Sequence, residues 1–282
     1  MAMLRAALLQ LNSSDDPAEN LPVTLEMIRE AAAGGADFVL TPEVTNCVSE
    51  SRARQREVLQ CEAEDITLAA LRGEARRLGI TILIGSLALR TDDPDGRFAN
   101  RSFLIGPDGV IIARYDKIHM FDVDLGGTEN FRESAGFRPG DRAVTGDAPF
   151  GRVGLTICYD VRFPHLHRAL AKGGATILTA PAAFSPVSGA AHWHVLQRAR
   201  AIENGCFVLA PAQCGLHRAR AGRARRTYGH SLAVSPWGEI LIDGGEKPGI
   251  FPVDLDLGEV EECRRKIPSL LHDRPFRGPG DE

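Results

Sequence analysis

The chain has 282 residues, 44% of them hydrophobic and 25% charged, enough apolar material for a substantial core in an ordinary globule. A formal net charge of -4 gives no overall pull toward nucleic acid. The segment from Met1 to Leu11 holds one basic residue and an apolar run too short for a secretory leader. No stretch reaches the length needed to span a bilayer, so a cytosolic chain with reduced thiols is expected.

Strand and helix patterns alternate along the length, as in an α/β fold. Leu4 to Leu11 reads as a strand. A helix follows from about Ala18 to Ala33, with Asp16 as N-cap, Pro17 at its first position and Gly34-Gly35 as its stop. Asp37 to Leu40 is a short buried strand that exits through Thr41-Pro42-Glu43. Ile66 to Leu78 is the next helix, capped by Asp65 and ended by Gly79, and Ile80 to Leu89 is a strand. Phe103 to Ile112 forms a hairpin around Gly106-Pro107-Asp108-Gly109. Val153 to Ile157 is a strand ending at Cys158, with a helix from about Pro164 to Lys172.

The second half echoes the first. Gly34 in AAAGGADFVLTPE matches Gly173 in LAKGGATILTAP; Gly79 matches Gly205, and Pro107-Asp108-Gly109 matches Pro236-Trp237-Gly238, in the same order at similar offsets. Two related halves within one domain are expected, with no linker between them. Glu43, Lys117 and Cys158 then fall at comparable places, each leaving the carboxyl end of a strand, the edge where open α/β sheets build their sites.

A thiol at a strand-to-helix turn has backbone N–H groups and a helix dipole nearby, which favour the thiolate. Cys47, Cys61, Cys206, Cys214 and Cys263 lack that setting and read as plain buried thiols. Glu43 supplies a carboxylate to take the thiol proton, and Lys117 a cation for a tetrahedral oxyanion beside the Tyr159 backbone N–H. That set fits hydrolysis of an amide through a thioester. The pairs His192/His194 and His165/His167 would point to different helix faces, and no Cys-x-x-Cys occurs, so no metal is expected. The basic run from His217 to Arg226 lacks interleaved aromatics and reads as a solvated loop, not a nucleic-acid patch.

Thr41-Pro42-Glu43, Tyr115-x-Lys117-x-His119-Met120-Phe121-Asp122 and Cys158-Tyr159-Asp160-x-Arg162-Phe163-Pro164 resemble the three signature blocks of the nitrilase, or carbon–nitrogen hydrolase, superfamily. The resemblance runs from near Leu4 to about Asp273. It implies a four-layer α-β-β-α sandwich with an internal pseudo-twofold over residues 1–275, residues 276–282 forming a tail. It also implies homodimers or larger homo-oligomers and no cofactor. The family's auxiliary glutamate matches Glu133 better than Glu129. Cys-Tyr-Asp in the third block points to amidases. The stretch from Ala191 to Asn204, with Ala212-Gln213-Cys214-Gly215 and Tyr228-Gly229-His230-Ser231, resembles the deaminated-glutathione amidases. That likeness implies cleavage of the 2-oxo analogue of glutathione into 2-oxoglutarate and cysteinylglycine. The alternatives are an ω-amidase acting on 2-oxoglutaramate and an N-carbamoyl amino-acid hydrolase. Arg162, either a carboxylate partner or a structural ion pair with Asp160, and Phe184 are the candidate substrate contacts. A non-catalytic scaffold would be marked by loss of Glu43, Lys117 or Cys158, and none is lost.

Overall fold

A computed structural model describes residues 3–126 and 130–279 of the chain. Strand β1 (Met3–Gln10) leads into helix α1 (Pro17–Ala33) and strand β2 (Phe38–Leu40). The Asp16 carboxylate caps α1 by accepting the Ala18 N–H, and Gly34 closes it. A short helix α2 (Arg52–Val58) follows; the sequence pattern gave no sign of it, because the side chains it buries, Arg54 and Gln55, are polar. Helix α3 (Ile66–Leu78) starts on Asp65, which accepts the Leu68 N–H, and stops at the left-handed Gly79. Strands β3 (Thr81–Leu89), β4 (Ala99–Ile105) and β5 (Ile111–Asp116) make an antiparallel meander, and β6 (Asp122–Asp124) with β7 (Asn130–Arg132) a small separate hairpin.

The second half runs β8 (Val144–Ala148), β9 (Gly151–Leu155), α4 (Pro164–Lys172), β10 (Ile177–Thr179), α5 (Pro186–Asn204) and β11 (Phe207–Ala210). A two-stranded ribbon, β12 (Cys214–Leu216) and β13 (Arg226–Tyr228), precedes β14 (Leu232–Val234), β15 (Ile240–Asp243), β16 (Gly249–Asp256) and α6 (Gly258–Lys266). The expected boundaries hold to within a residue or two for most elements. The exceptions are β4 and β5, which extend the hairpin at both ends; β9 is displaced by two residues and stops at Leu155, so that Thr156 and Ile157 already belong to the turn carrying Cys158.

The internal repeat is visible in the sheets. One has the order β16-β1-β2-β3-β4-β5, the other β8-β9-β10-β11-β14-β15. Across both, successive pairings are antiparallel, parallel, parallel, antiparallel and antiparallel. The matched glycines agree in backbone as well: Gly34 and Gly173 at φ -75° and -71°, Gly79 and Gly205 at 68° and 53°, Gly109 and Gly238 at 76° and 88°. The edge strands differ in origin. β8 is joined to β9 by a hairpin, whereas β16 comes from the far end of the chain to pair with β1.

Strand alternation sorts the apolar residues into layers. In the first sheet Leu4, Ala6, Leu8, Phe38, Leu40, Leu83 and Leu104 face the second sheet and share one core with Val153, Leu155, Ile177 and Phe207. Their neighbours Ala7, Leu9, Val39, Ile82, Ile84, Phe103 and Ile105 face outward onto Ile28 and Ala31 of α1 and Leu68, Leu71 and Ala75 of α3. On the other side α4 and α5 cover the second sheet with Leu166, Leu170, Trp193 and Ala201. The result is a four-layer α-β-β-α sandwich. Glu43, Lys117 and Cys158 do leave strand ends, but those of β2, β5 and β9, which are different positions in the two sheets, not equivalent ones.

Candidate active site

Glu43 lies in a turn whose backbone is over-determined. The Val44 N–H donates to Ser86 Oγ at 2.8 Å, the Thr45 hydroxyl donates to Pro42 O at 2.7 Å, and Gln213 Nε2 donates to Glu43 O at 3.1 Å. Val44 is held at φ 46°, a left-handed conformation that a β-branched residue adopts only under constraint. Beneath the turn lies Gly85, where a Cβ would stand 2.1 Å from Thr41 O and 2.5 Å from Pro181 Cβ. Only glycine lets the β3 backbone pass so close.

Glu43 is 3% exposed and both its carboxylate oxygens are engaged. Oε1 accepts from Lys117 Nζ at 2.8 Å and Asn100 Nδ2 at 2.9 Å, and Oε2 accepts the Ala183 N–H at 2.8 Å. Lys117, 2% exposed, also donates to both oxygens of Glu133, at 3.0 and 2.8 Å. Glu133 Oε2 is fixed in turn by the Phe121 N–H at 2.7 Å. Burial alone would raise the Glu43 carboxyl, yet the Lys117 ammonium outweighs it and holds the group below the ordinary carboxylate range. Burial likewise penalises the ammonium, but Glu133 and then Glu43 push Lys117 above the usual lysine value. At neutral pH Glu43 and Lys117 therefore stand as a buried ion pair.

Cys158 has φ 49° and opens a single 3-10 turn, Cys158–Arg162; α4 begins only at Pro164. Its own N–H donates to Pro181 O at 2.8 Å, and its thiol meets Glu43 and the Ala183 N–H. The expected pre-formed thiolate is not what the surroundings favour. Burial, and then the Glu43 charge, push the thiol well above its ordinary value, and Lys117 only partly offsets them. The helix that was to supply a dipole starts a turn too late. A neutral thiol facing a carboxylate is the resting arrangement.

Asp160, fully buried, ties the Cys158 turn to the lysine segment. It accepts from the Ile157 N–H at 2.8 Å, Tyr115 Oη at 2.7 Å, the His119 N–H at 3.1 Å and His119 Nδ1 at 2.7 Å. Sequence reasoning placed Asp160 in the third motif block and offered Arg162 as its partner, but that pair does not form. The Arg162 guanidinium instead reaches His192 Nδ1 at 3.3 Å and lies over the rings of Tyr159 and Phe184.

Around the thiol opens a cavity of about 240 Å³, the size of a small metabolite and not a groove for a polymer. Glu43, Lys117, Glu133 and Cys158 line it together with Asn100, Phe121 and Phe184; Arg162 does not. Asn100, donating to both glutamates, and Arg225 are the residues sequence reading missed. The first had no motif around it, and the second was hidden in the basic run. That run is no idle solvated loop: His217 is buried between Ser13 O and Thr227 Oγ1, Arg218 and Arg220 pair with Glu19, Arg223 with Glu50, and Arg225 enters the cavity. Glu129, the weaker auxiliary candidate, lies outside the described residues.

The six cysteines are all free thiols, Cys61 half-buried and the rest buried. The histidine pairs do not converge on each other. His194 Nε2 meets Asp243 at 2.9 Å and His230 Nδ1 meets the same carboxylate at 2.8 Å, a trio whose ligand atoms lie close enough to hold a metal ion. No described helix is long and apolar enough to cross a membrane.

The duplicated two-sheet sandwich and its buried acid–amine–thiol cluster define the class, an enzyme that hydrolyses carbon–nitrogen bonds. The chain belongs to the carbon–nitrogen hydrolase family, whose model matches residues 5–265. It is 39% identical to a deaminated glutathione amidase of Synechocystis over 269 residues, 95% of this chain and 97% of that protein. It is 36% identical to the human omega-amidase over 275 residues, 97% and 96% of the two chains. Among solved structures, the NitFhit protein of C. elegans superposes with a TM-score of 0.88 at 34% identity. That match covers 97% of this chain but 66% of the longer one.

Proposed function

We propose that this protein is an amidase that cleaves deaminated glutathione into 2-oxoglutarate and cysteinylglycine through a thioester on Cys158. The observation that carries the chemistry is the Glu43 carboxylate, anchored by Lys117, Asn100 and the Ala183 N–H while facing a neutral buried thiol. The substrate assignment rests on the relatives named for that activity.

In this reading Glu43 takes the thiol proton as Cys158 attacks the amide carbonyl, so the thiolate exists only as it reacts. The tetrahedral oxyanion is stabilised by the Lys117 ammonium and the Tyr159 N–H, roughly 10²–10³-fold per donor. Glu43 returns the proton to the leaving nitrogen, then activates water to release the acid. Glu133 acts through Lys117, holding its charge and position. Phe184 forms part of the wall against the acyl chain. Residues 1–275 make up the catalytic unit, working in the cytosol. Exposed Val195 and Ile202, seven residues apart on α5, and Trp237 nearby support association of copies through helical faces.

A second reading has a specific observation behind it: the human omega-amidase matches as much of the chain at a similar identity. The leaving groups separate the two, cysteinylglycine in one and ammonia in the other. Purified enzyme assayed by mass spectrometry against deaminated glutathione, 2-oxoglutaramate and N-carbamoyl amino acids decides. Preference for deaminated glutathione is the expected result; preference for 2-oxoglutaramate replaces the assignment with the second reading.

A further inference from the structure

Outside the cavity, three elements bring two imidazoles and a carboxylate to one half-exposed point. His194 comes from α5, His230 from the turn between β13 and β14, and Asp243 from the end of β15. His194 Nε2 lies 2.9 Å from Asp243 Oδ2, and His230 Nδ1 lies 2.8 Å from Asp243 Oδ1. The two imidazole rings meet edge to face with centroids 5.3 Å apart. One ligand atom from each residue lies within 4.8 Å of the other two. Neither histidine pair of the sequence makes this cluster, because the partner of His194 comes from another element. The amide chemistry leaves all three residues unused.

His230 is fixed from several sides. Its backbone sits at φ 57°, a left-handed conformation uncommon for a residue with a side chain. Its N–H donates to Gly245 O at 2.6 Å, and its carbonyl accepts from Trp193 Nε1 at 2.8 Å. The Tyr228 ring stacks on the imidazole at 4.4 Å between centroids. Gly229 permits the close turn, since a Cβ there would stand 2.7 Å from Gly245 O. Asp243 is held as well, its Oδ1 also accepting the Gly245 N–H at 2.9 Å. Trp193 directly precedes His194, so the helix that grips the His230 carbonyl also delivers the second imidazole. Both ion-pair partners of the carboxylate are therefore imidazoles, the commonest metal-binding side chains.

We propose that His194, His230 and Asp243 bind a divalent cation of the zinc class, with water completing a four-coordinate shell. Two imidazole nitrogens and one carboxylate oxygen suit Zn²⁺, whereas Mg²⁺ and Ca²⁺ prefer sites built of oxygen. In a tetrahedral shell with bonds of about 2.0–2.1 Å, neighbouring ligand atoms stand about 3.4 Å apart. The two N···O contacts therefore open by roughly half an ångström as the nitrogens close on the ion. The proton that each nitrogen now directs at Asp243 passes to water or to the other nitrogen of the ring. The freed lone pairs and one carboxylate oxygen then hold the metal. Its work is structural: it ties α5 to β15 and to the turn after β13.

Calorimetric titration of untagged, EDTA-stripped protein with Zn²⁺ tests the site, with Mg²⁺ as the control cation. The titration uses the Cys158→Ala chain, so that the reactive thiol cannot compete for zinc. One Zn²⁺ should bind per chain, and a hundredfold excess over Kd should raise Tm by about 5 °C. Adding His194→Ala, His230→Ala or Asp243→Asn should weaken binding at least about 10- to 100-fold, while His192→Ala should leave it alone. X-ray absorption of the zinc-loaded Cys158→Ala chain should show two imidazole rings, with nitrogen and oxygen at about 2.0–2.2 Å and no sulfur at about 2.3 Å. That measurement alters none of the three ligands, so it decides even where their substitution unfolds the chain. Absence of zinc binding, unchanged affinity in the three variants, loss in His192→Ala, sulfur in the shell, or fewer than two imidazoles would overturn the proposal. Equal uptake of Mg²⁺ would mean an adventitious ion only, and would overturn it as well. The amidase reading stands or falls separately, because no residue is shared with Glu43, Lys117 or Cys158.

Discussion

The turn after β2 and the turn after β10 occupy matched places in the two halves, and they do different work. Thr41-Pro42-Glu43 projects a charged side chain, while Pro181-Ala182-Ala183 offers backbone: the Pro181 carbonyl receives the Cys158 N–H and the Ala183 N–H holds Glu43. They meet across Gly85, whose missing Cβ leaves room for both. The comparison shows how a repeated scaffold becomes an asymmetric site. One copy supplies the acid, and the other a backbone N–H that helps aim it and a carbonyl that holds the Cys158 turn, so neither half is complete alone.

The strongest way to break that arrangement is to remove the atom it serves. Cys158→Ala should lower turnover by on the order of 10⁴-fold or more with the fold intact, whereas Cys206→Ala and Cys214→Ala keep most activity. Near-normal steady-state rates in Cys158→Ala would end the mechanism. Taking the side chain from the first turn comes next. Glu43→Gln should lose roughly 10²–10⁴-fold in both acylation and deacylation. Stopped-flow is the check, and a rapid acyl-enzyme burst in this variant would remove Glu43 from the first step. Glu133→Gln should cost less, mostly in kcat, because it acts on Lys117 and not on the substrate.

Wedging the two turns apart is a milder intervention. Gly85→Ala puts a methyl group against the Thr41 carbonyl and Pro181, so about 1–3 kcal/mol of stability should go, with activity falling beyond the loss of folded protein. Thermal melts beside single-point assays measure both; a melt and rate like wild type would mean the turns do not depend on that contact.

The effect with the least bearing on turnover concerns stability and the seam between the halves. His217, joining Ser13 to Thr227, and His167 on the buried face of α4 are each pushed by burial down to about 4 from an ordinary 6.5. Between those values the unfolded chain binds protons that the folded one refuses. Stability should therefore fall as pH drops from about 6.5 toward 4, by up to about 1.4 kcal/mol per unit for each group, and level off below. Urea unfolding at pH 7, 5.5 and 4.5 reads the slope, and His217→Gln should flatten part of it. A slope that the variant leaves unaltered would assign the acid sensitivity elsewhere.

Much of this molecule is set by local chemistry. Asp16, Asp65, Gly34, Gly79 and the Gly106–Gly109 turn fix where helices and hairpin begin and end, because caps and left-handed stops act over one turn of chain. The three motif blocks announced Glu43, Lys117 and Cys158 for the same reason, each being a short run with its own signature. What neighbours decide was not legible. Residues far apart in sequence set the charge state of the thiol, since burial and Glu43 reverse the expectation of a ready thiolate. The partners of Arg162 and Asp160 were exchanged, and Arg225 left a basic run to enter the cavity. Asn100 became the bridge between two glutamates only when β4 was laid beside β3. Even the edge of the first sheet waits for β16 to return from the far end of the chain. Sequence determined the elements and named Glu43, Lys117 and Cys158; tertiary packing, by controlling solvent access and which charges face each other, decided their protonation and their partners.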